Sequence, residues 1–297
     1  MRGAAPGSPS LSRGAVLALT ALVMVAFAAN SVLARLALTT TALDAATFTL
    51  VRVGWGAAAL WLVLRVRDGT AAYTPGDASR GDWSSGAALF VYAAAFSFAY
   101  LSLSTGTGAL VLFGAVQLTM IGWGLVRGER LGPAAALGLA LAVGGLVYLL
   151  LPGLEAPPLG PALLMAASGV GWGVYSLRGR SATDPVGVSA GNFARAALLC
   201  VGLALAVRVG AGGLARPDAL GLAYATLSGV VTSALGYVLW YAVLPSLRAT
   251  SAATVQLSVP VLAALGGALL LGEAVTLRLA VATAVTLGGI ALVLRSR

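Results

Sequence analysis

The stretch Ala252–Glu273 reads A-A-T-V-Q-L-S-V-P-V-L-A-A-L-G-G-A-L-L-L-G-E. At about 1.5 Å per residue it can cross a hydrocarbon core of about 30 Å. Gln256, Ser258 and Pro260 interrupt its middle, and an acid closes it. Gly106–Glu129 is a second version: G-T-G-A-L-V-L-F-G-A-V-Q-L-T-M-I-G-W-G-L-V-R-G-E. A shift of 144 residues lays Gly128-Glu129 on Gly272-Glu273 and Gly144-Gly145 on Gly288-Gly289. An apolar segment repeated with its polar interruptions marks a chain built from two copies of one unit.

The chain has 297 residues, 59% hydrophobic and 9% charged, with a mean hydropathy of +0.96. A soluble domain carries about 25% charge. So few charges cannot cover a water-facing surface, and the apolar runs have the length of spanning helices. The expected fold class is an all-α polytopic membrane protein. All 18 basic residues are Arg, and the net charge is +9. They stand singly at helix ends rather than in a patch, which excludes a nucleic-acid partner and fits the positive-inside rule. There is no His, and Cys200 is the single cysteine. No disulfide within the chain, zinc site of the usual kind, or Ser-His or Cys-His pair can form. No cofactor, metal or catalytic residue is expected, and the chain is read as not an enzyme.

Ten spans are expected near 14–38, 44–66, 84–103, 106–126, 133–151, 159–177, 187–207, 218–241, 249–271 and 275–294. They follow a tail over 1–13. The first run also has the look of a signal peptide ending at Ala26-Phe27-Ala28, but cleavage would remove a helix that the second half repeats. Beyond the tail, the prolines fall in links or at helix starts except Pro260. Ten spans place both termini on one side. That side collects twelve Arg against four on the other, which puts both ends in the cytoplasm of a bacterial inner membrane. Five spans per half is an odd number, so the second copy enters the membrane upside down. The halves are 14–151 and 159–295, joined by 152–158. Arg52 falls near Arg195 at a shift of 143.

Ten spans, an Arg in the second span of each half and a Gly-Glu after each fourth span resemble the drug/metabolite transporter superfamily, EamA-type. V-P-V-L with Gly272-Glu273 behind it is the most specific piece, and the likeness covers residues 14–295. Within the superfamily the chain is most similar to the bacterial amino-acid exporters of the YddG type. The first copy has Val116 where the family often has proline. The resemblance implies two inverted five-helix repeats around a central cavity.

Asn30, Gln117, Asn192 and Gln256 are every carboxamide in the chain, and all four fall within spans. Each is either interhelical glue or the wall of a wet cavity. Gln117 and Gln256 lie on the repeated helices and are favoured over Asn192. Pro260 frees the carbonyl of Gln256, making a recognition point or hinge together with Ser258. Aromatic candidates for the cavity wall are Tyr100, Trp172, Tyr175 and Tyr237. Arg52 and Arg195 lie within spans and are expected to tie their helices to carbonyls or an acid near a gate, or to snorkel. Glu129 and Glu273 are gating or structural candidates. No carboxylate stands at mid-depth, which argues against proton antiport and for a substrate moving down its own gradient.

The expected function is export of neutral amino acids, aromatic ones included, and related small metabolites by alternating access. Another cargo (nucleoside, sugar-linked metabolite or drug) and a membrane-embedded enzyme or lipid-handling protein are the alternatives. The expected partners are a small-molecule substrate and the lipid bilayer, with the chain a monomer or weak homodimer.

Overall fold

The structure is a computed structural model. It describes residues 12–69, 80–153, 155–179, 182, 184–210, 217–243, 246–247 and 255–296. The tail expected over 1–13, most of the link after Arg67 and the first residues of the ninth expected span fall outside these. Among the described residues every regular element is helical: α1 (Arg13–Thr40), α2 (Ala45–Asp68), α3 (Trp83–Ala99), α4 (Thr105–Val126), α5 (Pro133–Leu150), α6 (Leu159–Gly179), α7 (Pro185–Gly210), α8 (Ala219–Val243), α9 (Ser258–Leu271) and α10 (Leu277–Arg295). Seven of them (α1, α2, α4, α5, α7, α8 and α10) are long and apolar enough to cross a membrane, while α3 and α9 are shorter apolar helices. The chain is a polytopic helical membrane protein. α1 runs unbroken through Ala26-Phe27-Ala28.

The helix ends follow from local chemistry. Asp44, Asp82 and Asp218 accept from the first-turn amides of α2, α3 and α8, and Ser104 and Thr276 do so for α4 and α10. These caps satisfy amides that hydrocarbon cannot. Pro133 opens α5 and Pro185 opens α7, where the missing N–H is harmless. Gly272 closes α9 in the left-handed conformation at φ 66°. Apolar side chains stay outside as well as inside: Leu269 is 83% and Val126 81% exposed, as lipid-facing surface requires.

Two features of regular structure depart from plain spans. Residues Ser228–Leu235 within α8 are π-helical. α9 is preceded by a helical turn at Val255-Gln256 that breaks at Leu257. Pro260 therefore stands in the first turn of α9, just after the break. Its ring excludes a regular bond to the carbonyl four residues back, which belongs to Gln256.

α5 packs along α10, α2 along α7, and α6 lies between α3 and α4. α1 packs against α8 and α9, and α4 also meets α9. The α5–α10 seam is made of small residues. A Cβ on Gly289 would stand 2.5 Å from the Gly138 carbonyl oxygen, and one on Gly145 2.3 Å from Thr286 Oγ1. Such backbone approach is how membrane helices associate without a hydrophobic drive. Gly144 and Gly288 face open space. Of each repeated Gly-Gly pair, only the second glycine is under steric constraint. Gly289→Leu should thus lower stability by about 1–3 kcal/mol through overpacking, while Gly288→Leu leaves it within about 0.5 kcal/mol. Thermal melts of detergent-purified variants measure the difference.

Candidate functional site

The polar centre of the molecule is built around Asn30 of α1, which is 6% exposed. Its Oδ1 accepts from Ser228 Oγ at 2.7 Å and from Thr232 Oγ1 at 3.2 Å. Its Nδ2 donates to the Tyr92 hydroxyl of α3 at 3.4 Å. The two hydroxyl donors come from the π-helical turn of α8. In such a turn the hydrogen bond skips one more residue than in an α-helix, a device frequent at functional sites. Here it places Ser228, Thr232 and Ser233 along one polar face. The single Thr232 hydroxyl proton is shared between Asn30 Oδ1 and the Ser228 carbonyl at 2.9 Å.

Arg52 of α2 lies beside this centre and is only 2% exposed. Its Nη2 donates to the Tyr92 hydroxyl at 2.8 Å, and its Nε stands 3.5 Å from Ser233 Oγ. The guanidinium carbon sits 5.1 Å from the Tyr92 ring centre and 4.7 Å from that of Phe96. Nη1 is buried with no hydrogen-bond partner. Among the described residues no carboxylate pairs with Arg52. A charge taken out of water without an anion costs several kcal/mol, and the ring contacts offset only about 1–2 kcal/mol each.

A cavity opens next to these groups, walled by Phe27, Asn30 and Ser31 of α1, Tyr92 and Phe96 of α3, Leu112 and Phe113 of α4, Trp172 of α6, and Thr232, Ser233 and Tyr237 of α8. Apart from Phe96, in the last turn of α3, these residues stand away from the ends of their helices. The space open to the centre of a water is about 20 Å³, room for one or two waters. Trp172 anchors the aromatic wall, its ring centre 4.9 Å from Tyr92 and 5.0 Å from Tyr237.

Of the residues singled out from sequence, Asn30, Trp172 and Tyr237 meet at this cavity. Tyr175 stands behind Trp172, with ring centres 5.5 Å apart, and donates to Ser189 at 3.3 Å. Tyr100 is fully buried away from the wall, stacked edge-on to Phe96 and wedged against Gly108. Gln117 is buried on α4 outside the wall, and Gln256 and Ser258 stand at the break before α9. Ser258 there donates to the Val255 carbonyl at 2.7 Å. Asn192 serves the backbone, accepting from the Asp82 amide at 3.0 Å. Arg195 reaches the Arg80 and Gly191 carbonyls at 3.2 and 3.0 Å. Ser228, Thr232, Ser233, Phe27 and Tyr92 are not among the candidates drawn from the sequence. The one available signal was three hydroxyl residues within six positions of an apolar segment.

Both ends of the bundle are tied by charge. At one end Glu273 accepts from Arg35 Nε at 3.0 Å and from the Thr105 amide that opens α4 at 2.7 Å. Arg35 also donates to the Tyr100 and Leu101 carbonyls at 2.8 and 3.2 Å. The Gly-Glu after α9 thus joins three helices. Gly128 has φ 89° and turns the chain in the same manner before Glu129, whose amide returns to the Gly124 carbonyl at 3.0 Å. At the other end Arg67 bridges Asp68 and Asp184, Arg80 lies 3.7 Å from Asp68, and Arg178 meets Asp82.

Glu273→Ala should cost about 1–3 kcal/mol, because it removes a charged cap and strands Arg35 among carbonyls; Glu273→Gln keeps an acceptor and costs less. Thermal melts rank the two. Hydrogen bonds from Arg67 hold the Asp184 carboxyl below its usual range. A carboxyl lowered by folding stabilises above its unfolded value of about 3.9, and that stabilisation is lost as pH falls through the lower folded value. The melting difference between wild type and Asp184→Asn should therefore be flat from about pH 5 to 8 and vanish only below about pH 4. The Asp184 side chain is 37% exposed, so the difference is small.

Comparison with known proteins agrees with this geometry. The family described as EamA-like transporter family matches residues 159–295. A relative from Pseudomonas aeruginosa (strain PAO1), described as uncharacterized protein PA1977, is 57% identical over 281 residues, which is 95% of each chain. A solved structure described only as a crystal structure of a protein shares the fold: TM-score 0.65 at 22% identity, over 96% of this chain and 99% of its own. The second half of this membrane-spanning helical bundle thus matches a family of membrane transporters, the EamA-like transporter family.

Proposed function

We propose that the protein is a bacterial inner-membrane secondary transporter or facilitator that exports neutral amino acids, aromatic ones included, and related small metabolites. The observation that carries this reading is the mid-depth cavity, where aromatic faces surround Asn30 and its hydroxyl partners. Aromatic walls suit flat apolar side chains, and a few placed polar groups orient a small polar head.

Alternating access between two inverted five-helix halves, 14–151 and 159–295, fits the packing. If α1–α5 are exchanged with α6–α10, the pair α3–α6 becomes α8–α1, α4–α6 becomes α9–α1, and α3–α7 becomes α8–α2; all of these pairs are in contact. The pairs α2–α7, α4–α9 and α5–α10 map onto themselves. One detail supports this strongly. A Cβ on Gly86 would strike Arg195 at 2.8 Å, and a Cβ on Gly229 would strike the Arg52 carbonyl at 2.2 Å. Both pairs are related by a shift of 143 residues, with the halves exchanged. The cavity wall draws on α1, α3 and α4 of one half and α6 and α8 of the other, so rocking of the halves would expose it to alternate sides. The arginine count supports an orientation with both termini in the cytoplasm, the Arg67–Asp184 cluster on that face and Glu273–Arg35 on the outer one.

Among the described residues no acid stands in the cavity wall, which favours movement of substrate down its own gradient over proton antiport. Proteoliposomes tested with labelled amino acids, nucleosides and sugars should move neutral amino acids, and an imposed pH gradient should change the rate by less than about twofold. Movement of another class alone would overturn the cargo, and strong proton dependence would overturn the uncoupled mechanism.

A further inference from the structure

The three arginines that reach into the described bundle are treated differently. Arg35 uses its nitrogens on Glu273 and two carbonyls. Arg195, the repeat counterpart of Arg52, uses Nη1 on the Arg80 and Gly191 carbonyls. Both are structural ties. Arg52 is the most deeply buried of the three, yet its Nη1 bonds to nothing and it pairs with no acid among the described residues. A strut spends its donors on fixed backbone oxygens, as Arg195 does with Nη1. A buried guanidinium with an open donor is instead suited to an anion that comes and goes.

Arg52 also has a direct link to the cavity. Tyr92, Phe96 and Ser233 each touch the guanidinium and each form part of the cavity wall. The Tyr92 hydroxyl accepts from both Arg52 and Asn30, so its own proton remains for an acceptor on the cavity side. We infer that Arg52 and the Tyr92 hydroxyl are the docking point for the carboxylate of the transported molecule. This rests on the transport reading above and narrows its substrate class to organic carboxylates. The carboxylate accepts from Arg52 Nη1 and Tyr92 O–H and supplies the counter-charge the empty site lacks. No acid in the wall answers an ammonium, so the amino group is dispensable. The cavity has room for only one or two waters, so it widens to admit this ligand.

The test uses three probes of one shape: L-phenylalanine, 3-phenylpropionate, which lacks the amine, and phenethylamine, which lacks the carboxylate. Binding to the full chain in detergent is followed by tryptophan fluorescence, alongside flux in proteoliposomes. Both carboxylates should bind roughly tenfold or more tightly than the amine, and Arg52→Gln should abolish that preference. Tyr92→Phe keeps the ring and should reduce the preference roughly two- to fivefold. Arg52→Lys should retain part of it. An amine that binds as well as the carboxylates overturns the assignment, as does absence of binding by all three. A preference unchanged in Arg52→Gln, or in Tyr92→Phe should Arg52→Gln not fold, overturns it too. If carboxylates bind through Arg52 but no amino acid crosses the bilayer, the transport reading fails and the docking point stands. If amino acids and the amine cross equally fast, the docking point fails and transport stands.

Discussion

A polar group inside a bilayer must find its partners within the protein, and the Tyr92 hydroxyl is where that demand is met at the centre of this chain. From α3 it joins the amide of Asn30 on α1 to the guanidinium of Arg52 on α2. Asn30 in turn binds the π-helical turn of α8. Four helices are therefore held by one small network. Removing Tyr92 strands Arg52 Nη2 and Asn30 Nδ2 as buried donors without a partner, which is more costly in hydrocarbon than the bond itself is favourable.

The same economy explains the glycines. Gly229 allows the π-helical turn of α8 to lie against the backbone of Arg52, and Gly56 admits the ring of Phe193 on α7. α2 is thereby clamped between α7 and α8, with a glycine at each contact. Close backbone approach is what fixes the depth at which Arg52 enters the bundle. The glycines of α5 and α10 perform the same task at a seam remote from the cavity, where they set helix spacing.

The charged residues divide by depth. Asp44, Asp82 and Asp218 cap helices, Glu273 caps α4 from across the bundle, and the pairs of Arg67, Arg80 and Arg178 tie the opposite end. All of them sit where water or headgroups can share the charge. Arg52 alone lies at the centre among aromatic rings. Closed ties at both ends and a nearly filled cavity between them make this a compact state of the bundle.

The membrane class and the positions of most helices could be read directly from residues. Hydropathy and repeated Gly-Glu pairs are local properties that survive any arrangement in space. Asn30, Trp172 and Tyr237 were legible for a related reason: a polar or bulky aromatic group in a span needs a neighbour, whichever neighbour that is. Which of them converge was decided by tertiary structure. Tyr100 and Tyr175 have the same composition signal as Trp172, but the rotation of their helices and the notch at Gly108 turn Tyr100 into packing. The π-helical turn has no sequence signature stronger than three hydroxyl residues, and it alone aims Ser228 and Thr232 at Asn30. Arg52 and Arg195 occupy matching places in the chain, and only the packed bundle gives one of them carbonyls and the other aromatic rings. Hydrogen bonds and ring contacts depend on helix rotation and depth, which a linear pattern does not contain.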